Sequence, residues 1–357
     1  MLLLEGYEAV RRTLRDPEVF TTAGDAIQVG QLRPLLPLQA GPLEHPRYRH
    51  ALEGVFSAPN VARLEPGLRR RANQLIDGFA LHGSVEFNEH FSRPFPVLAL
   101  LELLDLPAAD VELVRGLHDS VLGPDGGDTG DAAGSMADAG SRIYGYFGPI
   151  VAARRGQPGE DLIRALQQPR PDDTQLSEEE VVDICYLLVL AGVDPVGGAL
   201  AGAVAYLGQD PEERARLTKE PADLRRTVEE LLRWGSSVKI ITRVTTCPVE
   251  VEGELLDVGR RLGCALSAAN SDPTVFDSPA TFDPDRTGST HLTFGAGPHR
   301  CVGAQLARLE LRVALEELQR RLPDHRLDPG ASSTVDPRTI GAHDPLPLVF
   351  TPRPTRG

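Results

Sequence analysis

Four groupings of residues have types and spacing that suit chemistry. The first is the run FGAGPHRCVG, residues 294 to 303, directly before a stretch with helical spacing. It presents Cys301 at a helix N-terminus, where unpaired backbone N–H groups and the positive end of the dipole favour a thiolate. Gly295 and Gly297 let the loop turn tightly and approach a flat partner. A dinucleotide-binding reading fails, because GxGxxG needs a glycine where Arg300 stands. The second grouping is EELLR, with Glu230 and Arg233 one helical turn apart and able to pair. The third is basic: His45 and Arg49 on one helix face of HPRYR. The fourth is AGVDPVGGAL, residues 191 to 200, where Asp194, Pro195 and two glycines interrupt an apolar helix. Proline in a helix interior costs about 3 kcal/mol, so a broken or loosened helix is expected beside Asp194. That carboxylate is either a proton carrier or a capping or salt-bridged group.

The elements that position these groups are mostly helical. GYEAVRRTLRDP suits a short helix ended by proline, and residues 22–44 are a Gly/Pro-rich loop. Helical spacing returns at 45–56, 61–82 and 94–107. Residues 123–135 read as a second loop between helices. Ser177 with Glu180 three residues on forms a capping-box signature for a helix running toward Tyr206. Another helix ends at Gly235. Short strands are expected at 239–245, 248–257 and 260–267, then a last helix over 302–322 whose apolar face includes Leu306, Leu309 and Val313. With no repeat and no composition shift, residues 1–357 read as one mainly α domain with a minor β part.

The bulk numbers narrow the function classes. The chain has 357 residues, 41% of them hydrophobic, and a net charge of −14 from 37 basic and 51 acidic side chains. That balance argues against nucleic acid as the main partner. All basic residues but Lys219 and Lys239 are arginine, in keeping with a GC-rich bacterial genome. Four cysteines without a CxxC pair suggest neither a zinc site nor a disulfide framework. The opening MLLLEGYEAV is too short and too soon charged for a signal peptide or a spanning helix. A cytoplasmic protein with no membrane partner is expected.

A thiolate held at a glycine loop is one of few protein ligands for haem iron. The sequence resembles the cytochrome P450 haem-thiolate monooxygenases, whose cysteine loop it matches at Phe294, Gly295, Gly297, His299, Cys301 and Gly303. The resemblance runs from GYEAV to the C-terminal strands and implies the fold of that family: a helical bundle around haem b plus small sheets. It implies Cys301 as the axial iron ligand, Phe294 shielding the sulfur, and His299, His45, Arg49 and Arg243 as propionate partners. It also implies that Arg286 joins Glu230 and Arg233 in a structural triad. Family members carry a further helix and first strand before GYEAVRR, so a shortened N-terminal segment is expected. On the central helix Ala191, Gly192 and Asp194 fit the oxygen-groove pattern, but Pro195 stands where the family has threonine.

The same resemblance implies a distal pocket lined by Val193, Gly197, Val238, Ile240, Ile241, Ile340 and Ala342, roofed by the 22–44 and 123–135 regions. Lys239 and His343 are possible polar contacts there. Electrons must come from outside, through a ferredoxin and an NAD(P)H-dependent reductase. Arg70, Arg71, Arg300, Arg308 and Arg312 are candidates for a basic docking patch, or else surface arginines paired to local acids. The expected activity is insertion of one atom of dioxygen into a small, largely apolar organic substrate, in bacterial secondary metabolism. The missing threonine keeps open peroxide-driven oxidation or oxidative coupling, and a non-catalytic partner protein is the reading of another class.

Overall fold

The computed structural model describes residues 1–23, 29–122, 132–169, 175–219, 224–288, 290–330 and 335–353. The helices are α1 (Tyr7–Arg15), α2 (His45–Val55), α3 (Ala58–Ala62), α4 (Glu65–Asp77), α5 (Pro94–Leu103), α6 (Val111–Leu122), α7 (Ala132–Arg154), α8 (Leu162–Leu166), α9 (Glu178–Gln209), α10 (Pro211–Lys219), α11 (Leu224–Gly235), α12 (Leu266–Ala269) and α13 (Ala304–Arg321). A π-helical turn, Asn88–Ser92, leads into α5. The strands are β1 (Leu2–Leu4), β2 (Phe20–Thr21), β3 (Ser84–Glu86), β4 (Ile240–Thr245), β5 (Val249–Val251), β6 (Glu254–Leu256), β7 (Arg261–Ala265), β8 (Arg326–Leu327) and β9 (Pro347–Val349).

α9 is the axis of the molecule. Ser177 Oγ accepts from the Glu180 N–H at 3.1 Å, and the Glu180 carboxylate accepts from the Ser177 N–H at 2.7 Å. This reciprocal cap is worth about 1 kcal/mol and starts the helix where the sequence signals it. α9 then packs against α5, α6, α7, α11 and α13. It is long and apolar enough to cross a membrane, but over half of its most apolar window is buried inside the fold. Its hydropathy is that of a core helix touched from several sides.

The expected break at Pro195 does not occur, and α9 runs unbroken from Glu178 to Gln209. Five packed neighbours hold the helical path where propensity alone opposes it. The proline still removes one ladder donor, so the carbonyl of Ala191 has no helical partner.

The sheets are small. A four-stranded sheet has the order β1-β7-β4-β2, with β1 parallel to β7 and the other pairs antiparallel. The N-terminal segment therefore does supply a first strand, Leu2–Leu4, where its absence was expected. A three-stranded sheet, β3-β9-β8, and the β5-β6 hairpin complete the β part. The stretch 248–257, expected as one strand, is that hairpin; Glu252 and Gly253, both at positive φ, form its two-residue turn. Side chains divide into a large helical core and a smaller one between the first sheet and α1. The 123–135 loop lies outside the described residues up to 131, and from Ala132 the chain is already α7. Residues 24–28 of the 22–44 loop also lie outside them; 29–44 contain no helix or strand.

Candidate active site

Cys301 lies between two structural constraints. Its N–H donates to the Phe294 carbonyl at 2.8 Å, closing the loop, and α13 begins three residues later with Gly303 as N-cap. Gly295 and Gly297 have φ of 69° and 70°, a region that disfavours side chains. At Gly297 a Cβ would also come within 2.4 Å of the Leu14 carbonyl, so this glycine seats the loop against α1. Cys301 is exposed by surface area, yet burial raises its thiol pKa. The two agree if the sulfur opens onto an internal cleft walled by protein. The Gly303 N–H and the charges of Arg49, Arg300 and Arg308 oppose that rise. Phe294 stands beside it with the Arg308 guanidinium 4.5 Å from its ring centre. Cys185 and Cys264 are buried thiols, pushed up to about 12 and about 11 by desolvation, and Cys247 is exposed.

Next to this loop is an uncompensated basic cluster. The rings of His45 and His299 lie 3.9 Å apart, centre to centre. His45 Nε2 is buried without a hydrogen-bond partner, and His299 Nε2 is 3.3 Å from Thr22 Oγ1. Arg243 is 4% exposed on β4, and its Nη1 donates to the neighbouring Thr242 carbonyl at 2.7 Å. Arg49 donates to the Arg300 carbonyl at 2.8 Å. No carboxylate pairs with any of the four among the described residues. Burial, aided by neighbouring cations, lowers His45 to about 4 and His299 to about 3. A buried guanidinium and an orphaned imidazole without counter-charge are costly, and a ligand bearing carboxylates relieves both. The donor set therefore fits the two propionates of haem, as the thiol fits its iron.

The structural triad forms around one carboxylate. Glu230 Oε1 accepts from Arg233 Nη2 at 2.7 Å, Arg286 Nε at 3.1 Å and the Asp283 N–H at 3.0 Å. Glu230 Oε2 accepts from Arg233 Nε at 2.8 Å. The remaining guanidinium donors go to carbonyls of Asn270, Asp277, Ser278, Pro279 and Thr281. This ties α11 to the chain that leads into the cysteine loop.

Along the middle of α9 the positions that are not buried are Leu187, Leu188, Ala191, Gly192, Asp194, Pro195, Gly198, Ala199 and Gly202. Their spacing of three and four places them on one face. Ala191 is exposed in mid-helix, and a Cβ on Gly192 would meet nothing within 4 Å. Small side chains thus leave open space along this face. Farther along, a cleft of about 350 Å³ is lined by Asp194, Pro195, Lys239, Ile340, Ala342 and His343, among others.

The remaining pocket expectations divide. Val193 is 3% exposed and belongs to the core. Gly197 is buried, with a Cβ position 3.0 Å from both the Ser92 carbonyl and Ala342 Cβ. Neither lines this cleft, and Gly197 is seated between the Asn88–Ser92 turn and Ala342. Val238 and Ile241 pack on the smaller core, and Ile240 is 44% exposed. Lys239 Nζ donates to the Gly235 and Arg338 carbonyls, both at 2.7 Å, and half-burial lowers its pKa.

Asp194 has partners that sequence reasoning missed. His343 Nε2 is 3.2 Å from its Oδ1, and His118 Nε2, from α6, is 3.5 Å from the same oxygen. The spacing of Val114, Leu117 and Val121 does put His118 on a buried face. Nothing local pairs it with a residue so distant in sequence.

The proximal arginines are mostly committed. Arg308 is held by Glu229 at 2.5 and 2.9 Å, and Arg312 by Glu65 and Glu316. Arg70 and Arg71 both approach Glu102. Arg300 is exposed and its side chain has no ion-pair partner among the described residues.

Comparison with known proteins follows the same lines. The cytochrome P450 family model matches residues 152–323. A probable cytochrome P450 127A1 of Sinorhizobium fredii is 35% identical over 336 residues, 93% of this chain and 78% of its own length. The mycinamicin IV hydroxylase/epoxidase of Micromonospora griseorubida is 34% identical over 91% of this chain and 83% of its own. Among solved structures, HmtT, involved in himastatin biosynthesis, superposes with a TM-score of 0.85 at 31% identity, over 98% of this chain and 91% of that one.

Proposed function

The chain belongs to the cytochrome P450 family, and we propose that it is a bacterial monooxygenase inserting one atom of dioxygen into a small, largely apolar organic substrate during biosynthetic tailoring. It is an oxidoreductase of a family that uses haem with thiolate ligation and external redox partners. The observation that carries the residue assignment is the pairing of the Cys301 loop with four basic groups lacking counter-charge. Bound haem supplies reductive activation of dioxygen and oxygen-atom transfer.

In this reading Cys301 Sγ holds the iron, and His45, Arg49, Arg243 and His299 hold the propionates. Phe294 covers the sulfur, while Gly295 and Gly303 shape the loop around it. The small side chains of Ala191, Gly192 and Pro195 leave open space along this face of α9, where the Ala191 carbonyl, without its i+4 donor, would accept from water. Asp194 carries the proton that the threonine hydroxyl otherwise helps to deliver. Ile340 and Ala342 give the cleft apolar walls, with Lys239 and His343 as its polar groups. A relative named as a mycinamicin IV hydroxylase/epoxidase and a similar structure involved in himastatin biosynthesis support a tailoring role. A ferredoxin with an NAD(P)H-dependent reductase supplies electrons, residues 1–357 act as a single domain, and the setting is cytoplasmic.

The test is the absorption spectrum of the reduced carbon monoxide complex, followed by a substrate screen through the Soret shift. The parent and Cys185→Ser, Cys247→Ser and Cys264→Ser give a thiolate signature, and Cys301→Ser loses it. A Cys301→Ser protein that keeps the signature overturns the assignment.

A further inference from the structure

His118 is fully buried on α6, yet each of its ring nitrogens faces a carboxylate. Nδ1 is 3.1 Å from Asp119 Oδ1, in hydrogen-bond contact. Nε2 is 3.5 Å from Asp194 Oδ1, close but without hydrogen-bond alignment, and has no other partner. Asp119 is 29% exposed on its side chain and pairs with Arg93, which in turn holds Glu89 beside Arg115. His343, from the C-terminal turn, touches Asp194 from the other side. A carboxylate, an imidazole and a second carboxylate therefore run in contact from the accessible edge of α6 to the cleft beside Pro195.

We propose that His118 is a positioning and proton-relay residue that connects solvent, through Asp119, to Asp194. The proposal rests on the monooxygenase reading above and supplies what the proline cannot. At rest the neutral ring donates Nδ1–H to ionised Asp119. When Asp119 takes up a proton the ring adopts the Nε2–H tautomer and Nδ1 accepts from the carboxyl; that proton then passes to Nδ1 while the Nε2 proton passes to Asp194 Oδ1. One proton enters, one leaves, and the ring is again neutral with Nδ1–H on ionised Asp119. A small rotation of the ring closes the 3.5 Å contact during transfer. Burial alone raises the Asp119 carboxyl, but His118, Arg93 and His343 together bring it below the usual range. Asp119 is thus ionised at rest and carries a proton only in passing. The charged groups around the imidazole are Asp119 and Arg93 on one side and Asp194 and His343 on the other.

The test uses the haem-loaded, full-length protein. In the diamagnetic reduced carbon monoxide complex, 15N NMR reads the two ring nitrogens of His118, identified by the loss of their signals in His118→Gln. Asp119→Asn should move the Nδ1 shift and Asp194→Asn the Nε2 shift, because each replaces the carboxylate that the nitrogen faces. Ring shifts unmoved by both overturn the relay. Product formed per NAD(P)H consumed should fall at least ~10-fold in His118→Gln, since a positioned proton donor is worth ~10²–10⁴ in rate. The exposed control His82→Gln should match the parent. If His118→Gln does not fold, Asp119→Asn gives both readings. A well-coupled parent with an equally well-coupled His118→Gln fails the relay alone. A parent with no dioxygen-dependent product fails the monooxygenase reading and the relay with it.

Discussion

The imidazoles of His45 and His299 lie 3.9 Å apart, although one comes from α2 and the other from the cysteine loop. Both are held neutral, at about 4 and about 3, against an ordinary value of 6.5. The unfolded chain takes up both protons as pH falls through 6.5, and the folded chain does not until about 4 and about 3. The unfolded state therefore binds more protons across that window, and stability rises with pH there. It is complete above 6.5 and is lost as pH falls toward the folded values. Haem-free protein should show Tm falling between pH 6.5 and 4, with a shallower slope in His45→Asn. Haem loading should flatten the slope, because propionates favour the protonated rings. A haem-free Tm independent of pH in this range refutes the account.

Glu230 receives two guanidinium groups and a backbone N–H while almost fully buried. Glu230→Ala strands the buried Arg233 charge, and such a break costs about 3 to 5 kcal/mol. The expected outcome, read by urea unfolding, is a large fall in midpoint together with loss of haem incorporation. Arg286→Lys keeps a charge at the rim but loses the fork contacts to Asp277 and Thr281, so its cost should be smaller. An Arg286→Lys variant as stable as the parent would separate Arg286 from the triad.

Electron supply is tested at Arg300. The committed arginines are poor probes, since Arg308→Glu breaks the Glu229 pair and the stacking on Phe294 beside the cysteine loop. Arg300 is exposed without a paired acid among the described residues. Arg300→Glu should slow reduction by an acidic ferredoxin several-fold and flatten its salt dependence, because exposed charges are screened beyond about 8 Å at physiological ionic strength. Soret shifts with substrate should not change. Stopped-flow rates equal to the parent at low salt would place docking elsewhere.

What the sequence made legible was local. The Cys301 loop, the Glu230–Arg233 turn and the Ser177–Glu180 cap are set by residues within one or two helical turns, so type and spacing suffice. Arg286 and the propionate partners were reached through resemblance. What escaped depends on the rotation and neighbours of whole elements. Val193 and Gly197 looked like pocket wall, but Val193 belongs to the core and Gly197 is seated against the Asn88–Ser92 turn. Arg308 and Arg312 stood between a docking patch and pairing to local acids, because Glu229 and Glu65 come from α11 and α4 and only Glu316 lies on the same helix. The expected break at Pro195 failed because propensity is weak against five packed helices.

Pro195 supports the last prediction. Its missing N–H leaves the Ala191 carbonyl without a helical donor, and its ring carries no hydroxyl. Pro195→Ala restores the ladder bond and should stabilise the fold, by less than the ~3 kcal/mol that separates the residues in a helix interior, because the native packing already accommodates the ring. It also removes the free carbonyl, so ordered water there is lost and product per NAD(P)H should fall. Pro195→Thr returns both an N–H and a hydroxyl. If Asp194 receives protons through His118, the parent already couples well and Pro195→Thr improves it little. If the substrate itself must order the water, substrates lacking a hydroxyl or amide near the oxidised carbon waste electrons as peroxide, and Pro195→Thr rescues those selectively. Coupling measured for both variants on a plain hydrocarbon and on a hydroxylated analogue decides between the two. Tight coupling of the parent on the hydrocarbon points to the protein as proton source, whereas product only with added peroxide marks the proline as the loss of dioxygen activation.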